Sequence, residues 1–447
     1  MLDQRVGGRA HGLRVGRVGA GQLGQGCGWP SDSKRQHHAG YRRARGANGA
    51  GPVAVGVTFP RGFVAAGVTA GIKASGRPDV AIIAATKNVP AAAVFTRSAT
   101  AAPPVVVSRT HIARGTSRAI VISSGNANAA TGEPGRRDAE RMTVLVAAGL
   151  GCETEQVLVA STGVIGVPLP MEIVEQGIER ALAGLHDGGG ADAAVAITTT
   201  DAAPKQAERE IATSIGIIRV GGIAKGAGMI RPDLGTMIAV VTTDAPLDSQ
   251  QTEQALRAAV NNTFNCITVD GCTSTSDTVA LLASGACEGV LTAEDVILVG
   301  SAIEAVCEDL ALQIVRDGEG AHRIAHWTVT GAKDDSEART IAYAVAEAQL
   351  VRCALNGGDP NWGRIVAALG VTGCSVEAER IGITLGGHAL CRDGMAVATV
   401  DMAVVNEAAA RDTVEIAIEL GVGEGVASIW ASDLSKLYVE LNAEYTT

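Results

Sequence analysis

The stretch from Lys225 to Met237 has the residue types that a chain needs to cut itself before a threonine. Glycine-rich backbone leads to Gly235 and Thr236, and an apolar run typical of a strand follows at 237–241. The Thr236 hydroxyl could attack the Gly235 carbonyl carbon, and hydrolysis of the resulting ester would release a new N-terminal threonine. The alternative is an ordinary loop before a strand, because Gly-Thr is a common pair and Gly, Pro and Asp are usual loop residues.

An N-terminal threonine would hold a nucleophile and a base on one residue. The ordinary pKa of an α-amino group is about 7.7–8.0, so part of it is neutral near pH 7 and can accept the hydroxyl proton. Such chemistry needs no histidine, and the five histidines beyond residue 57 lie outside the Gly-, Ser- and Thr-rich motifs. The chain also lacks the G-x-S-x-G turn of a Ser-His-Asp hydrolase.

A second motif, at 161–166, follows a predicted strand at 157–160. If this motif is a tight turn, a glycine N–H and the Thr162 hydroxyl could point at one spot beside Gly163. Two such donors make an oxyanion hole, which stabilises the negative charge on an attacked carbonyl oxygen. An ordinary strand-to-helix turn is the alternative interpretation.

The elements that position these motifs alternate from Thr58 onward, which predicts an α/β protein, a layered mixed α/β sandwich with a smaller second domain. The predicted strands are 80–85, 119–123, 157–160, 238–243, 413–420 and 427–430. The predicted helices, from their 3.6-residue apolar period, are 135–149, 170–185, 249–261, 293–315 and 335–349. The glycine cluster at 187–190 is typical of a surface loop.

The amino-acid composition limits which classes of protein this chain can belong to. The 447 residues are 47% hydrophobic and 19% charged, which allows a large core. Residues 1–57, with nine Lys or Arg and two Asp, are Gly- and Arg-rich, and we predict a disordered leader or an over-extended start. A G-x-G-x-x-G run at 19–24 lacks the strand and helix of a dinucleotide site.

Charge, aromatic content and hydropathy exclude two classes of interaction, with nucleic acid and with the membrane interior. The whole chain has a net charge of −10 although the first 57 residues carry +7, and aromatic residues make up only 3%, so we expect no nucleic acid partner. No run approaches 18 uninterrupted apolar residues, so we expect no membrane span and a cytoplasmic enzyme.

Nine scattered cysteines form no C-x-x-C pair and are expected to be core thiols. Asp270 and Asp277 flank a Ser/Thr cluster, but their spacing does not fit a calcium loop, and no metal is required.

Together with the Lys225–Met237 stretch, a set of polar motifs resembles one family closely, the ornithine acetyltransferases, also called bifunctional arginine-biosynthesis glutamate N-acetyltransferases. The resemblance covers about 58–447 and keeps the motif order. The motifs are 124–132, 161–166, 199–201, 270–278, 317–320, 356–364 and 441–447.

The resemblance implies roles for individual residues. It implies scission between Gly235 and Thr236 into an α chain, 58–235, and a β chain, 236–447, paired as α2β2. Thr236 would take the acetyl group, and Thr162 with Gly163 would form the oxyanion hole. The substrate-binding residues that it implies are Thr199, Lys225, Thr236, Glu319, Asn442 and Thr447.

The implied reaction is a ping-pong transfer of acetyl from N-acetylornithine to glutamate, without a cofactor, and acetyl-CoA is a possible co-substrate. A fixed cation and a fixed anion suit amino-acid substrates, and Lys225 and Glu319 supply that pair in principle. The alternatives are a solvated lysine, a turn carboxylate and, for Asn442 and Thr447, a frayed C-terminus. The family commonly has alanine where this chain has Gly235, which puts the rate of scission in question.

Two other functions stay open at this point. An N-terminal-threonine amidase or aminopeptidase would pass its acyl group to water instead of to an amine. A Gly-rich binding or scaffold protein would stay uncut.

Overall fold

The computed structural model describes residues 54–231 and 237–444. Gly235, Thr236 and Thr447, the G-x-G-x-x-G run and most of the predicted leader lie outside the described residues. Inside the predicted leader, Val57 is fully buried and the Gly56 N–H donates to Glu208 over 2.7 Å. The packed part of the chain therefore begins before the predicted boundary at residue 58.

The described residues contain fifteen strands and eleven α-helices. The strands are β1 Phe63–Val68, β2 Val80–Phe95, β3 Thr116–Asn126, β4 Val157–Val164, β5 Lys205–Thr213, β6 Gly216–Lys225, β7 Ile238–Thr243, β8 Ile267–Thr268, β9 Thr278–Ala283, β10 Ile324–Ala332, β11 Gly382–Leu385, β12 His388–Arg392, β13 Met395–Ala396, β14 Thr413–Glu419 and β15 Gly425–Ser432. The helices are α1 Pro103–Ile112, α2 Gly132–Leu150, α3 Met171–Ala183, α4 Gly190–Ala196, α5 Ser249–Asn262, α6 Ala293–Arg316, α7 Asp335–Ala346, α8 Gln349–Gly357, α9 Trp362–Leu369, α10 Met402–Ala409 and α11 Lys436–Glu444.

The first sheet has eight strands in the order β4-β3-β2-β9-β7-β6-β5, with β1 paired to the first half of β2. Its central pair, β7 and β9, runs parallel with Ile238 opposite Thr278, while β6 runs antiparallel to β7 with Lys225 opposite Ile238. Every residue of β7 and β9 is buried, as expected for near-continuous apolar strands covered on both faces. The proposed cut at Gly235–Thr236 therefore falls between two neighbouring strands of one sheet.

Helices cover this sheet and form its cores. One core packs β5, β6, β7 and β9 against α5 and α6, with Val241, Leu256 and Val306 fully buried. Another packs β2, β3 and β4 against α2 and α3 around Met142 and Ile178. The capping residues Asp248 and Thr292, each accepting a backbone N–H three residues on, fix where α5 and α6 begin.

The second sheet has seven strands in the order β13-β12-β11-β14-β10-β15-β8. Its core surrounds Trp327 and Ile418 and packs against α7, α8 and α9. The described residues belong to one compact unit, Gly40–Thr447, so the second sheet is not split off as a separate domain. No helix in the described ranges is long and apolar enough to span a membrane.

The mixed α/β class is confirmed, and each predicted strand and helix is present, with the bounds of the strand at 238–243 unchanged and the ends of the others shifted. The largest difference among the helices is at 335–349, where α7 ends at Ala346 and α8 begins at Gln349. Of the eight described cysteines, three are buried and Cys272 and Cys353 are exposed, so the expectation of core thiols holds only in part.

Two local predictions were wrong. The glycine cluster at 187–190 is not a surface loop, because a side chain on Gly189 or Gly190 would meet the carbonyl oxygen of Ala65 or Val55 within about 2 Å. These glycines allow close packing of α4 against β1. The predicted turn at 161–166 is also different, since β4 continues through Thr162 and Gly163 to Val164.

Candidate active site

Six of the predicted catalytic and substrate-binding residues line one cavity of about 190 Å³ at the edge where β4 and β6 end and β7 begins. They are Thr162, Gly163, Thr199, Lys225, Glu319 and Asn442. Met237, which is bonded to Thr236, lines the same cavity. The structure thus brings together side chains that are separated by up to 280 positions in the chain.

Gly163 adopts a backbone conformation that favours glycine, with φ of +131°. A side chain there would place its Cβ 2.3 Å from the Gly125 carbonyl carbon on the neighbouring β3. The register between β3 and β4 also shifts beside this point. Glycine is therefore required for the close approach that sets the backbone next to Thr162.

Lys225 is the last residue of β6 and is only 8% exposed, unlike the solvated lysine of the alternative interpretation. Its Nζ donates a hydrogen bond to Thr162 Oγ1 over 3.2 Å and lies 4.0 Å from Asp201 Oδ2. Burial lowers the pKa of Lys225, and the charge of Asp201 opposes that shift. The cavity therefore holds a partly desolvated cation at its wall.

Asp201 anchors the backbone on both sides of this cation, and sequence reasoning gave it no role. Its buried carboxylate accepts the Gly226 N–H over 2.6 Å and the Thr199 N–H over 2.8 Å. It also accepts Lys205 Nζ over 2.6 Å, and the same Nζ lies 2.5 Å from Asp317 Oδ2. The only sequence signal was its place two residues after Thr199, which is typical of a side-chain-capped turn.

The pKa of Asp201 shows which ionisation state the surrounding groups favour. Burial alone would raise the pKa, but the positive charges of Lys225 and Lys205 and the Gly226 hydrogen bond lower it well below its ordinary value. Asp201 is therefore a carboxylate at neutral pH.

Glu319 supplies the anionic wall. Its backbone N–H donates to the Ala227 carbonyl over 2.8 Å, and its Oε2 accepts Asn442 Nδ2 of α11 over 2.9 Å. The carboxylate stands so close to Gly228 that a Cβ there would lie 2.7 Å from Oε2. Asn442 is exposed, but it lies in helix α11 and is held by Glu319, so it is not part of a frayed C-terminus.

Asp270 ties the loop after β8 to the loop after β6. Its carboxylate accepts the N–H groups of Met229, Ile230 and Cys272 over 2.5, 3.0 and 3.0 Å. Burial raises the pKa of Asp270, and these hydrogen bonds oppose the shift. In the described ranges, no three His, Cys, Asp or Glu side chains are grouped so as to hold a metal ion. Asp270 is best explained as a structural acceptor.

A larger cavity, of about 900 Å³, adjoins the first and shares Thr199, Thr200 and Glu319 with it. Its lining includes Lys73 and Arg77 and, from α11, Leu437 and Leu441. Burial lowers the pKa of Lys73 to about 8, and its Nζ donates to the carbonyls of Pro78 and Ala196. This lysine therefore serves mainly to join two backbone segments.

Comparison with known proteins gives one consistent result. Residues 64–447 match the ArgJ family model. The arginine biosynthesis bifunctional protein ArgJ of Thermosynechococcus vestitus is 44% identical over 416 residues, which cover 88% of this chain and 98% of that protein. The ArgJ protein of Symbiobacterium thermophilum is 44% identical over 405 residues, with 88% and 99% covered.

Solved structures of similar sequence exist for parts of the chain. ArgJ from Bacillus halodurans is 41% identical with a TM-score of 0.45, over 47% of this chain and all of that chain. Ornithine acetyltransferase from Mycobacterium tuberculosis, complexed with ornithine, is 41% identical with a TM-score of 0.39, over 41% of this chain and 96% of that chain.

Proposed function

Because this chain belongs to the ArgJ family, we propose that it transfers an acetyl group from N-acetylornithine to glutamate through an acetyl ester on Thr236. The chain is an enzyme of arginine biosynthesis, a glutamate N-acetyltransferase. The observation that carries the proposal is the Lys225–Thr162 hydrogen bond in the cavity that Glu319 also lines, where β7 begins. The relative that binds ornithine supports an amino-acid substrate.

In the first half-reaction, Thr236 Oγ attacks the acetyl carbonyl carbon and its own α-amine takes the hydroxyl proton. The carbonyl oxygen becomes an oxyanion, which accepts hydrogen bonds from the Thr162 hydroxyl and the Gly163 N–H. The bond from carbon to the ornithine nitrogen then breaks, and the α-ammonium of Thr236 gives its proton to that nitrogen. Ornithine leaves and an acetyl ester stays on Thr236.

In the second half-reaction, the glutamate amine attacks the ester carbonyl and forms a second oxyanion at the same donors. The carbon–oxygen bond breaks, the Thr236 α-amine takes the proton that the glutamate nitrogen loses and gives it to Thr236 Oγ, and N-acetylglutamate leaves. The fixed charges of Lys225 and Glu319 orient the substrates, and Thr199, Asn442 and Thr447 complete the proposed binding site. The two amino acids use one cavity in turn, as a ping-pong reaction requires.

Maturation precedes this chemistry. Thr236 Oγ attacks the Gly235 carbonyl carbon, the peptide nitrogen leaves with a proton, and water hydrolyses the ester to a Gly235 carboxylate and a free Thr236. The two chains, 58–235 and 236–447, would stay together because strands from both share the first sheet. We further propose an α2β2 assembly in the cytoplasm, and acetyl-CoA as a second donor in the bifunctional reaction.

The test combines intact-protein mass with acetyl transfer. The purified parent is expected to show a fragment of 212 residues, 236–447, and Thr236→Ala to stay uncut and inactive. Thr236→Ser is the matched variant, since it keeps a hydroxyl and should retain measurable scission and transfer. An Ala variant as active as the parent, or a β chain that starts elsewhere, would refute the proposal.

The acceptor of the acetyl group distinguishes the proposed transferase, which uses glutamate, from the rival hydrolase, which uses water. The enzyme is incubated with N-acetylornithine labelled in the acetyl group, with and without glutamate. We expect label in N-acetylglutamate and little free acetate. Loss of acetyl at the same rate without glutamate would favour an amidase.

A further inference from the structure

Asp201 is a buried carboxylate that links two proposed substrate-binding segments and has no part in the proposed reaction. Its Oδ2 accepts the Thr199 N–H over 2.8 Å, and its Oδ1 accepts the Gly226 N–H over 2.6 Å. Thr199 and Lys225, the residue before Gly226, both line the smaller cavity, whereas Asp201 does not. One side chain outside the smaller cavity therefore fixes the backbone of both segments relative to each other.

Asp201 is also the close counterion of Lys225. Its Oδ2 lies 4.0 Å from Lys225 Nζ, and no other carboxylate oxygen of the described residues lies within that distance. The side chain of Asp201 is 0% exposed and that of Lys225 is 10% exposed. Burial lowers the pKa of Lys225, and the charge of Asp201 is the largest of the effects that oppose this shift. Lys225 therefore depends mainly on Asp201 for the negative charge beside it.

Lys205 is a second cation on Asp201. Its Nζ lies 2.6 Å from Asp201 Oδ1 and 2.5 Å from Asp317 Oδ2, and its side chain is only 2% exposed. Asp317 also accepts the Ala202 N–H over 3.1 Å and precedes the proposed substrate-binding Glu319 by two residues. The Asp201 carboxylate is thus fixed by two backbone N–H groups and by an ammonium that lines neither cavity.

Other ionisable groups also surround Lys225. Two carboxyls, Asp277 and Glu319, act on its charge less than the close counterion does, and the other lysines act in the opposite direction. Asp277 is hydrogen-bonded to Ser274 and Thr96, although its Oδ2 has no partner among the described residues. The groups that face Lys225, apart from Asp201, are Lys205 at the start of β5, Lys73 after β1, Asp277 before β9, Glu319 after α6 and, at the cavity wall, Asp270, Cys272 and Tyr438.

We propose that Asp201 is a positioning residue that holds the Lys225 ammonium and the Thr199 backbone in the arrangement that binds the substrate carboxylate. The inference rests on the proposed function, because it takes Lys225 as the group that binds this carboxylate. Asp201 acts through Lys225 in two ways. Its hydrogen bonds fix the backbone at Thr199 and Gly226, and its charge keeps the neighbouring ammonium protonated to a higher pH than burial alone allows.

The opposite charges of Asp201 and Lys205 let the sign of an effect decide. The negative charge of Asp201 raises the pKa of Lys225, and the positive charge of Lys205 lowers it. Asp201→Asn should therefore lower the Lys225 pKa, and Lys205→Met should raise it. Loosening of the fold gives no reason for opposite shifts, so a merely structural role of Asp201 predicts a different result.

The test measures the Lys225 amine without turnover. The enzyme is treated with a trace of an amine-acylating reagent, acetic anhydride, at a series of pH values, and the labelled peptide that contains Lys225 is quantified by mass. Only the neutral amine reacts, so the pH dependence of labelling gives the pKa of Lys225. KM and kcat for N-acetylornithine are measured over the same range, about pH 6 to 10.5, in which its carboxylate is always ionised.

In Asp201→Asn we expect the Lys225 pKa to fall by about one unit, since an opposite charge within about 4–6 Å typically shifts a pKa by about that much or more. The rise of KM should begin at a pH lower by the same amount, while kcat should change less than KM. In Lys205→Met both the pKa and the rise of KM should move to higher pH. In a Lys225→Arg background, Asp201→Asn should leave KM flat with pH, and a rise there would belong to another group, such as Lys73, and would refute the proposal.

Asp317→Asn is the matched control, because it removes a carboxylate from the same Lys205 ammonium but not from Lys225. The Lys225 pKa should shift less in this variant than in Asp201→Asn. If Asp201→Asn does not fold, Lys205→Met decides the question, and a Lys225 pKa that is not higher there than in the parent refutes the role of Asp201.

Two failures are distinguishable. A parent enzyme that does not transfer acetyl from N-acetylornithine to glutamate refutes the proposed function. A parent enzyme that does transfer acetyl, but whose Lys225 pKa is the same in Asp201→Asn or moves in the same direction in Asp201→Asn and Lys205→Met, refutes only the role of Asp201.

Discussion

Lys225 Nζ donates to Thr162 Oγ1 over 3.2 Å, and this bond determines what the threonine hydroxyl can do. Because the oxygen accepts from Lys225, the hydroxyl proton must point elsewhere. Within the described ranges, no protein acceptor is recorded for that proton. The hydroxyl is therefore available to donate into the cavity, as an oxyanion hole requires.

Thr162→Val should lower kcat by roughly 10²–10³-fold, because loss of one oxyanion donor typically costs about 3–4 kcal/mol of transition-state stabilisation. KM should change little. Thr162→Ser keeps the hydroxyl and should stay within about tenfold of the parent. Steady-state acetyl transfer at saturating glutamate is the measurement, and a Val variant with the kcat of the parent would contradict the role.

Gly163→Ala and Gly166→Ala together separate the cost of a positive φ, which both sites have, from the cost of a steric clash, which only Gly163 has. Both glycines have positive φ, +131° and +82°, but a Cβ at Gly163 would meet Gly125 at 2.3 Å whereas none would meet an atom within 4 Å at Gly166. We expect Gly166→Ala to lower the free energy of unfolding by about 1 kcal/mol and Gly163→Ala by clearly more. Urea unfolding compares them, and equal losses would show that the contact with Gly125 is unimportant.

Asp201→Asn should destabilise the protein by about 3–5 kcal/mol, because it leaves the buried cation Lys205 with weaker compensation. Asp317→Asn, on a more exposed partner of the same lysine, should cost less. The folded pKa of Asp201 is lowered, so its stabilisation is complete above the unfolded pKa of about 3.9 and is lost as pH falls through the folded value.

Unfolding in urea between about pH 7 and pH 3 tests this prediction. The parent should lose stability toward the acid end, and the Asn variant should lose less over the same range. A variant as stable as the parent at pH 7 would show that the charge of Asp201 is dispensable.

The local elements could be predicted from the sequence because their signals are local. The strand at 238–243 is a short apolar run buried on both faces, and its predicted bounds match β7. The helix stripes at 249–261 and 293–315 also match α5 and α6 closely, since each has a capping residue.

The relationships across the site could not be predicted in this way. Nothing in the sequence places Asp201 against Lys205 and Gly226, or leaves an oxygen of Asp277 without a partner, because these facts depend on how distant strands pair. The residues around Gly163, where a turn was expected, form part of strand β4 because they pair with β3. Tertiary pairing overrides local turn chemistry there.

Glu319→Gln should raise KM for N-acetylornithine more than KM for glutamate. The Glu319 carboxylate lines the same cavity as Lys225, and ornithine has a side-chain ammonium that glutamate lacks. Loss of a charge-assisted hydrogen bond, about 1.5–3 kcal/mol, corresponds to roughly a 10- to 100-fold rise in KM. Asn442→Ala removes only a neutral donor to Glu319 and should have the smaller effect.

Initial rates with each substrate varied at saturating concentration of the other separate the two constants. An equal rise for both substrates in Glu319→Gln would mean that Glu319 supports the cavity without selecting the ammonium.

The pH dependence of substrate binding should report Lys225. Burial lowers the pKa of its ammonium below the ordinary 10.5, so the charge that we propose binds the substrate carboxylate is lost as pH rises through that lowered value. KM should therefore begin to rise at a lower pH than it would for an exposed lysine. Lys225→Arg keeps its charge throughout this range, so its KM, although higher because of the larger side chain, should be flat with pH. A parent KM that stays constant up to about pH 10.5 would contradict a role for the Lys225 charge in binding.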